Sequence, residues 1–407
     1  MYSKKIEEEL KKKGIRVGDS IKFSAGGQQV EGELMPRSEA GNPEVLVIKL
    51  KNGYNIGVKA EGAKIERLSA GSQSAASFPV RALLQKRDLP KISLLYTGGT
   101  IGSKIDYKTG GVHVLLKPGE LLYEVPEISG IANIEVSNLM SIASEDMSPI
   151  EWKLIAEAVA KSLNAGVRGV VITHGTDTMH YTSAALSFML KGINAPVVLT
   201  GAQRSSDRGS SDAFTNLIAA TTIAARSNIA EVGICMHSSS SDDMFSFIRG
   251  TKVRKMHTSR RDAFRPINDK PIAYINDLGE ISYNTGVEYR KISDSGGKVE
   301  TLPKFDSKVA ILKAYPGSDP EIVHHYTEIG YHGIIIEGTG LGHTPVSISH
   351  EGMSWLPYIK EAVEKGIVVG MTSQCVYGRV NQSVYRNLRL LSGAGVIYCE
   401  DMSAETA

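Results

Sequence analysis

Apolar and polar positions change their rhythm twice along the chain. In "SKKIEEELKKKGI" (3–15), Ile6 and Leu10 stand one helical turn apart among charges, and Gly14 follows as a stop, which predicts a short charged helix. From Val17 to about Leu68 the period shortens to two. "IKFSAGGQQVEGELMP" and "EVLVIKLKNGYNIGVK" alternate apolar with polar residues and are broken by Gly26-Gly27 and Asn52-Gly53, both hairpin dipeptides. A small antiparallel β domain of the barrel type is predicted over 1–75, with a linker over 76–90. The composition of "LSAGSQSAASFP" (68–79) already has a linker's texture.

Beyond residue 90, short apolar runs alternate with helical periods. "KISLLYTGGT" is a strand ending in glycines. "SPIEWKLIAEAVAKSLNAG" is an amphipathic helix with Ser148 at its N-cap, Pro149 in the first turn and Gly166 past its end. "GVVITHGTDT" is a second strand, "TSAALSFMLKGI" (182–193) a helix, and "APVVLTGAQRSSD" a third strand. This order predicts an α/β fold with a parallel sheet covered on both faces. The segment "KISDSGGKVETLPKFDSK" (291–308) is a second boundary, after which the rhythm restarts. A larger lobe over 91–290 and a smaller one over 305–407 are expected.

Composition narrows the class. Hydrophobic residues make up 42 % of the 407, charged residues 22 %, and the formal net charge is +2. Such a balance suits a soluble globular protein and lacks the basic surplus of a chain that grips nucleic acid by itself. The cysteines, Cys235, Cys375 and Cys399, are far apart and form no CxxC pair. They predict buried free thiols in a reducing compartment, neither a disulfide framework nor a zinc site. The N-terminus has no apolar leader, and no run approaches the roughly 18 apolar residues of a membrane span. A cytoplasmic place and no membrane partner are expected.

Ligands of open parallel sheets bind beyond the carboxyl ends of the strands. Three predicted strands end in polar turns: Thr97-Gly98-Gly99-Thr100, His174-Gly175-Thr176-Asp177 and Gly201-Ala202-Gln203-Arg204. Neighbouring turns would bring the hydroxyls of Thr100 and Thr176 to one cleft. A threonine hydroxyl is a weak nucleophile and needs a base. Asp177 supplies a carboxylate, and a lysine taking the proton would complete a Thr–Lys–Asp set. The glycines leave backbone N–H groups free for an oxyanion, and the polar turns favour a small polar substrate. Each turn also has a plainer reading: a glycine-rich bend after a strand, or an Asp/Thr helix cap. His174 is expected to be structural. No phosphate loop is present, "EGTGLGH" (337–343) does not fit GxGxxG, and HExxH, GxSxG and metal-ligand clusters are absent.

"TGGTIGS" (97–103) and "THGTDTM" (173–179) resemble the two signature segments of the L-asparaginase/glutaminase family, and "TGAQRSSDRGSSDAFTNL" (200–217) its third strand and following loop. The resemblance covers about 90–407 and implies the asparaginase-like two-lobe fold. It implies that Thr100 is the nucleophile of a mobile loop and that Thr176 and Asp177 are the second catalytic threonine and its aspartate. It singles out Lys255, nine residues before Phe264, from the charges of "RGTKVRKMHTSRRDAF". The family's Gly-Ser-Gln-Asp segment corresponds to Ala143-Ser144-Glu145-Asp146. Ser144 is then the group that holds the substrate carboxylate, and Glu145, in place of glutamine, accepts from its ammonium. Tyr107 and His113 are both candidates for the flap residue. No metal and no cofactor are implied in this chain. The final "CEDMSAETA" stops short of the helix with which the family usually closes.

The first ninety residues discriminate further. "VEGELMPRSEAGNPEVLVIKLKNGYNIGV" resembles the N-terminal domain, an SH3-like barrel, of the D-type subunits of archaeal Glu-tRNA(Gln) amidotransferase. That resemblance implies a glutaminase within a complex. The partner, the E-type subunit of the amidotransferase, binds Glu-tRNA(Gln), uses ATP and Mg, and receives the ammonia; a self-dimer flanked by two partners, a heterotetramer, is the family arrangement. Two other functions fit parts of the pattern: a stand-alone L-asparaginase with a passive β domain, and a non-catalytic sugar- or nucleotide-binding α/β protein. A Ser–Ser–Lys amidase is not supported, because "RGSSDAF" (208–214) lacks glycines after the serines.

Overall fold

The computed structural model describes residues 2–25, 28–36, 42–51, 54–70, 87–99, 101, 103–105, 112–114, 125–206, 210–292, 297–302, 304–346 and 352–407. The side chains of residues 28, 103–105 and 112–114 are not among those described.

The N-terminal domain begins with α1 (Lys4–Lys12), capped by Ser3, whose Oγ accepts from the Ile6 amide at 3.4 Å. Ile6 and Leu10 are buried, as their spacing predicts. They pack with Ile21, Phe23, Leu34, Leu46 and Ile48 from an antiparallel sheet. Its strands are β1 (Ser20–Ala25), β2 (Gln28–Met35), β3 (Val45–Lys49), β4 (Asn55–Lys59) and β5 (Lys64–Ser69). The order is β4-β3-β2-β1-β5. Register Ala25↔Gln28 leaves two residues, Gly26-Gly27, between β1 and β2, where the sequence predicts a hairpin. β5 runs to Ser69, so the linker texture starts inside a strand.

The larger lobe is built on an eight-stranded sheet. Its strands are β6 (Lys91–Gly98), β9 (Asn133–Ile142), β10 (Gly169–Thr173), β12 (Val197–Thr200), β13 (Val232–His237), β14 (Met244–Arg249), β17 (Ala273–Asn276) and β18 (Ile281–Tyr283). Two small hairpins lie outside it, β7 (Ser103–Ile105) with β8 (Val112–Val114) and β15 (Val253–Lys255) with β16 (Phe264–Pro266). The order is β18-β17-β14-β13-β12-β10-β6-β9. Helices α2 (Pro149–Asn164) and α3 (Met179–Met189) cover one face through Ile155, Val159 and Leu186. Helix α4 (Ala213–Arg226) covers the other through Leu217, Ala220 and Ile223.

The sheet is mixed, which corrects the expectation of a parallel one. β9, β6, β10, β12 and β13 are parallel, whereas β14, β17 and β18 each pair antiparallel with the strand before, so β14 and β18 run against the core direction. The cause is connection length. Six residues, 238–243, join β13 to β14, and a parallel crossover needs a dozen or more. A second correction concerns the helix expected over 182–193. It starts at Met179, and Leu190-Lys191 leave it as β11 to pair with β19 (Glu300–Thr301). The 291–308 segment is therefore tied into the larger lobe by a short ladder. A third concerns the thiols: all three are free, but only Cys235 is buried, while Cys375 is exposed and Cys399 half-buried.

The smaller lobe is wholly parallel. Strands β20 (Val309–Lys313), β21 (Gly333–Gly338), β22 (Val368–Ser373) and β23 (Ile397–Tyr398) lie in sequence order. Helices α5 (Glu321–Glu328), α6 (Trp355–Glu364) and α7 (Arg386–Gly393) accompany them, with Trp355 fully buried in the core. Asn268, at φ 54°, clips the lobes together. Its Nδ2 donates to the carbonyls of Gly378 (2.8 Å) and Asp401 (3.0 Å), and its Oδ1 accepts from the Gly378 amide (2.8 Å). Among the described residues no helix is long and apolar enough to cross a membrane.

Helix α2 starts at a capping box: the Ser148 hydroxyl accepts from the Ile150 amide at 3.2 Å, and the Glu151 carboxylate accepts from the Ser148 amide at 2.9 Å. Ser148→Ala should cost about 1 kcal/mol of stability without altering the fold. Urea unfolding with an unchanged slope and a lower midpoint is the expected result; an unchanged midpoint would mean that the cap contributes nothing.

Candidate active site

The parallel core places the ends of β6, β10 and β12 side by side, as the order β12-β10-β6 requires. Thr97 Oγ1 donates to the Thr173 carbonyl at 2.7 Å and ties the first two ends together. The next residues are Gly98 (φ 116°) and Gly99 (φ 84°), both in a region that side chains avoid. A Cβ at Gly99 would lie 2.5 Å from the Gly175 amide nitrogen, so the two signature turns touch backbone to backbone. A Cβ at Gly175 would lie 2.8 Å from Ser144 Oγ, which places Ser144 against the second turn. Thr178 Oγ1 fastens that contact by donating to the Ser144 carbonyl at 2.6 Å.

Lys255 closes the group. It ends β15 opposite Phe264 of β16, and its side chain is only 9 % exposed. Its ammonium donates to Thr176 Oγ1 at 2.8 Å and to Asp177 Oδ1 at 2.7 Å. Thr176 is buried, whereas the Asp177 carboxylate is 69 % exposed. The Thr176 proton points towards Gln203 Oε1, 3.5 Å away. The charged lysine thus holds the threonine as an acceptor. A neutral lysine would reverse that bond and receive the proton, as a general base must.

The surroundings hold this geometry in place. His174 is fully buried, and burial pushes its pKa down to about 4. Its Nδ1–H donates to the Gly175 carbonyl at 2.7 Å, which leaves Nε2 to accept from Thr182 Oγ1 at 2.9 Å. Thr182 in turn accepts from Trp152 Nε1 at 2.9 Å. One neutral tautomer satisfies the whole chain of bonds, so His174 is the structural residue that the sequence suggests. On the other side, the buried Asp212 carboxylate accepts from the amides of Gln203 (3.1 Å) and Arg204 (3.0 Å) and from Asn216 Nδ2 (3.0 Å). It shapes the third turn so that Gln203 reaches Thr176.

The predicted residues divide as follows. Thr176, Asp177 and Lys255 meet directly, and Ser144 lies beside them. Glu145 is exposed in the single 3-10 turn Ser144–Asp146. Thr100 and Tyr107 lie outside the described residues; His113 belongs to β8, and its side chain is not described. Gln203, Asp212 and Thr178 were missed, although Gln203 is inside the quoted third turn and Asp212 lies eight residues beyond Arg204, within the quoted 200–217 segment. Their signal was local: polar residues crowded after an apolar strand. Among the described residues one trio, His324, Glu328 and Glu361, could converge on a metal. Lys365 already pairs with both carboxylates there, at 2.6 Å and 2.8 Å.

Comparison with known proteins fits this geometry. Residues 91–289 match the family "Asparaginase, N-terminal" and residues 308–407 match "Glutaminase/Asparaginase C-terminal domain". The L-asparaginase of Thermococcus kodakarensis superposes with a TM-score of 0.67 at 32 % identity, covering 78 % of this chain and 90 % of that one. L-asparaginase I of Vibrio cholerae gives 0.66 at 30 %, with the same coverage. The two lobes therefore have the asparaginase-like fold. The remaining part, residues 15–68, matches "GatD N-terminal domain". The D-type subunit of the Glutamyl-tRNA(Gln) amidotransferase of Pyrococcus furiosus is 51 % identical over 99 % of this chain and 91 % of its own length. That of Methanopyrus kandleri is 46 % identical over 100 % and 88 %. The chain belongs to the GatD family, the D-type subunits of Glutamyl-tRNA(Gln) amidotransferase.

A buried neutral histidine links the site to acid stability. Because the folded pKa of His174 is about 4, against 6.5 for an exposed histidine, the unfolded chain binds the extra proton between those values. Stability from this group is complete above about pH 6.5 and is lost as pH falls towards 4, by about 3 kcal/mol. Urea midpoints at pH 7 and pH 4.5 should show the decline, and His174→Gln should make it shallower, with the share of buried His180 remaining; an equally steep decline in the variant would clear His174 of the effect.

Proposed function

We propose that this chain is the glutaminase subunit of a tRNA-dependent amidotransferase that converts Glu-tRNA(Gln) to Gln-tRNA(Gln). The observation that carries the reading is similarity along the whole chain, including the 15–68 domain, which lies outside the residues matched by the two asparaginase families. In this reading glutamine enters the cleft, with Ser144 and Glu145 holding its carboxylate and ammonium. A threonine oxygen, from Thr100 or Thr176, adds to the side-chain amide carbon. Neutral Lys255 accepts the proton of the attacking hydroxyl, directly when Thr176 attacks and by way of the Thr176 hydroxyl when Thr100 attacks, and Asp177 steadies the ammonium that results. The C–N bond breaks, the nitrogen leaves as ammonia with the relayed proton, and water then frees the threonine as glutamate departs. Glycine-rich turns supply amide donors for the oxyanion.

The rest of the reaction is assigned to a partner. The E-type subunit, GatE, would bind Glu-tRNA(Gln), activate its glutamyl carboxyl with ATP and Mg, and take up the ammonia; this chain would need no cofactor. The near-neutral charge of +2 supports leaving the tRNA contact largely to that partner. The reading includes a dimer of this chain within a heterotetramer, a cytoplasmic place, and an SH3-like barrel for the N-terminal five-stranded domain.

Ammonia release from glutamine and from asparagine, by the chain alone and with GatE and Glu-tRNA(Gln), tests the assignment. Stimulation of glutamine hydrolysis by the partner and the tRNA is the expected result. Fast asparagine turnover by the chain alone, unchanged by either, would make it a stand-alone asparaginase. Thr100→Ala, Thr176→Ala and Lys255→Met should each lower kcat by about 1000-fold or more, because members of one nucleophilic unit fail together. Near-normal turnover in any of them would remove that residue from the mechanism.

A further inference from the structure

Behind Lys255 lies a buried group of charges that the chemistry above does not use. Glu405, from the segment that follows β23, reaches across to the larger lobe with its side chain only 2 % exposed. Its Oε1 is 3.5 Å from Arg254 Nε and 3.9 Å from His180 Nε2, yet it has no hydrogen-bond partner among the described residues. A carboxylate held dry with so little hydrogen bonding is costly unless a neighbouring charge compensates it. Arg254 immediately precedes Lys255 on β15, and side chains alternate along a strand, so the two cations leave opposite sides of one ribbon.

The segment is anchored independently of that carboxylate. Lys252 Nζ pairs with Asp401 at 2.6 Å, and Thr406 Oγ1 donates to the Thr251 carbonyl at 3.0 Å. Both anchors grip the lead-in to β15. His180 and Tyr181 of α3 feel the charges of this neighbourhood: Lys255, Arg254, Asp177 and the buried His174 act on His180, and Glu405, Arg254 and Glu337 of β21 on Tyr181. Burial, with Arg254 and Lys255 beside it, holds His180 neutral, its pKa lowered to about 4. The local balance near neutral pH is therefore set by two cations, Arg254 and Lys255, and by the carboxylates of Asp177, Glu405 and Glu337.

We infer that Glu405 is a positioning residue for the hydrolytic site, the small lobe's carboxylate that neutralises Arg254 and thereby sets the charge state available to Lys255. The inference rests on the base role proposed for Lys255. Without the Glu405 charge, the Arg254 guanidinium next to Lys255 on β15 is left without its carboxylate. The ammonium form of Lys255 is then disfavoured. The rising limb of activity against pH, which follows loss of that proton, should move to lower pH.

The test uses the full chain with its partner and tRNA, comparing wild type, Glu405→Gln, Glu405→Asp and the double variant Glu405→Gln/Arg254→Gln. Two readouts are taken across pH: kcat/KM for glutamine, and trace labelling of Lys255 by acetic anhydride. The labelling needs no turnover. In Glu405→Gln both midpoints should fall by roughly half a pH unit or more. Aspartate should preserve the wild-type midpoint, and the double variant should return towards it, because both charges are gone. A Glu405→Gln profile lowered in height but with unmoved midpoints would leave Glu405 a packing residue and overturn the inference. If Glu405→Gln does not fold, Arg254→Gln carries the test with the opposite sign, its midpoints rising; unmoved midpoints there overturn the inference equally. A labelling shift without glutamine hydrolysis in the wild type would fault the glutaminase reading and leave the electrostatic coupling standing.

Discussion

The architecture converges on one buried cation. Lys255 can keep its charge away from water only because Thr176 and Asp177 present oxygens at 2.8 Å and 2.7 Å. Those oxygens belong to a turn after β10, while the lysine arrives from a hairpin outside the main sheet. Bringing them together needs three parallel strand ends in one row, glycines where the turns touch, and a buried histidine that fixes the Gly175 carbonyl. Each of these features is a condition for the same two hydrogen bonds.

Much of this was legible in the residues, for identifiable reasons. The strands of the parallel core are apolar runs bounded by glycine and polar turns, and α2 carries its cap, its N1 proline and its terminal glycine in plain view. Thr176 and Asp177 stood out because polar chemistry follows an apolar strand abruptly. Lys255 did not. On spacing alone it was one charge among Arg249, Lys252, Arg254, Arg260 and Arg261, and family resemblance was needed to select it. Burial distinguishes it, and burial depends on residues about 80 positions away, at Thr176 and Asp177.

Other misses share that origin. The antiparallel half of the larger sheet follows from a six-residue connection whose shortness matters only once β13 and β14 are known to be neighbours. Leu190 and Lys191 continue the helical period of α3, yet pair with Glu300 and Thr301, a partnership more than 100 residues distant in sequence. Local periodicity reports what a segment can bury and says nothing of which distant edge lies open to it. The signals that failed were those whose meaning is set by another part of the chain.

The grip of residues 401–406 on Thr251 and Lys252 has a consequence for assembly in time. Those contacts join positions about 150 residues apart, among the longest loop closures in the molecule. The parallel core of the larger lobe can form from nearby segments, but the ribbon bearing Lys255 is clamped only after the smaller lobe has been synthesised and docked. The ribbon that presents Lys255 therefore has its full support only when both lobes are docked.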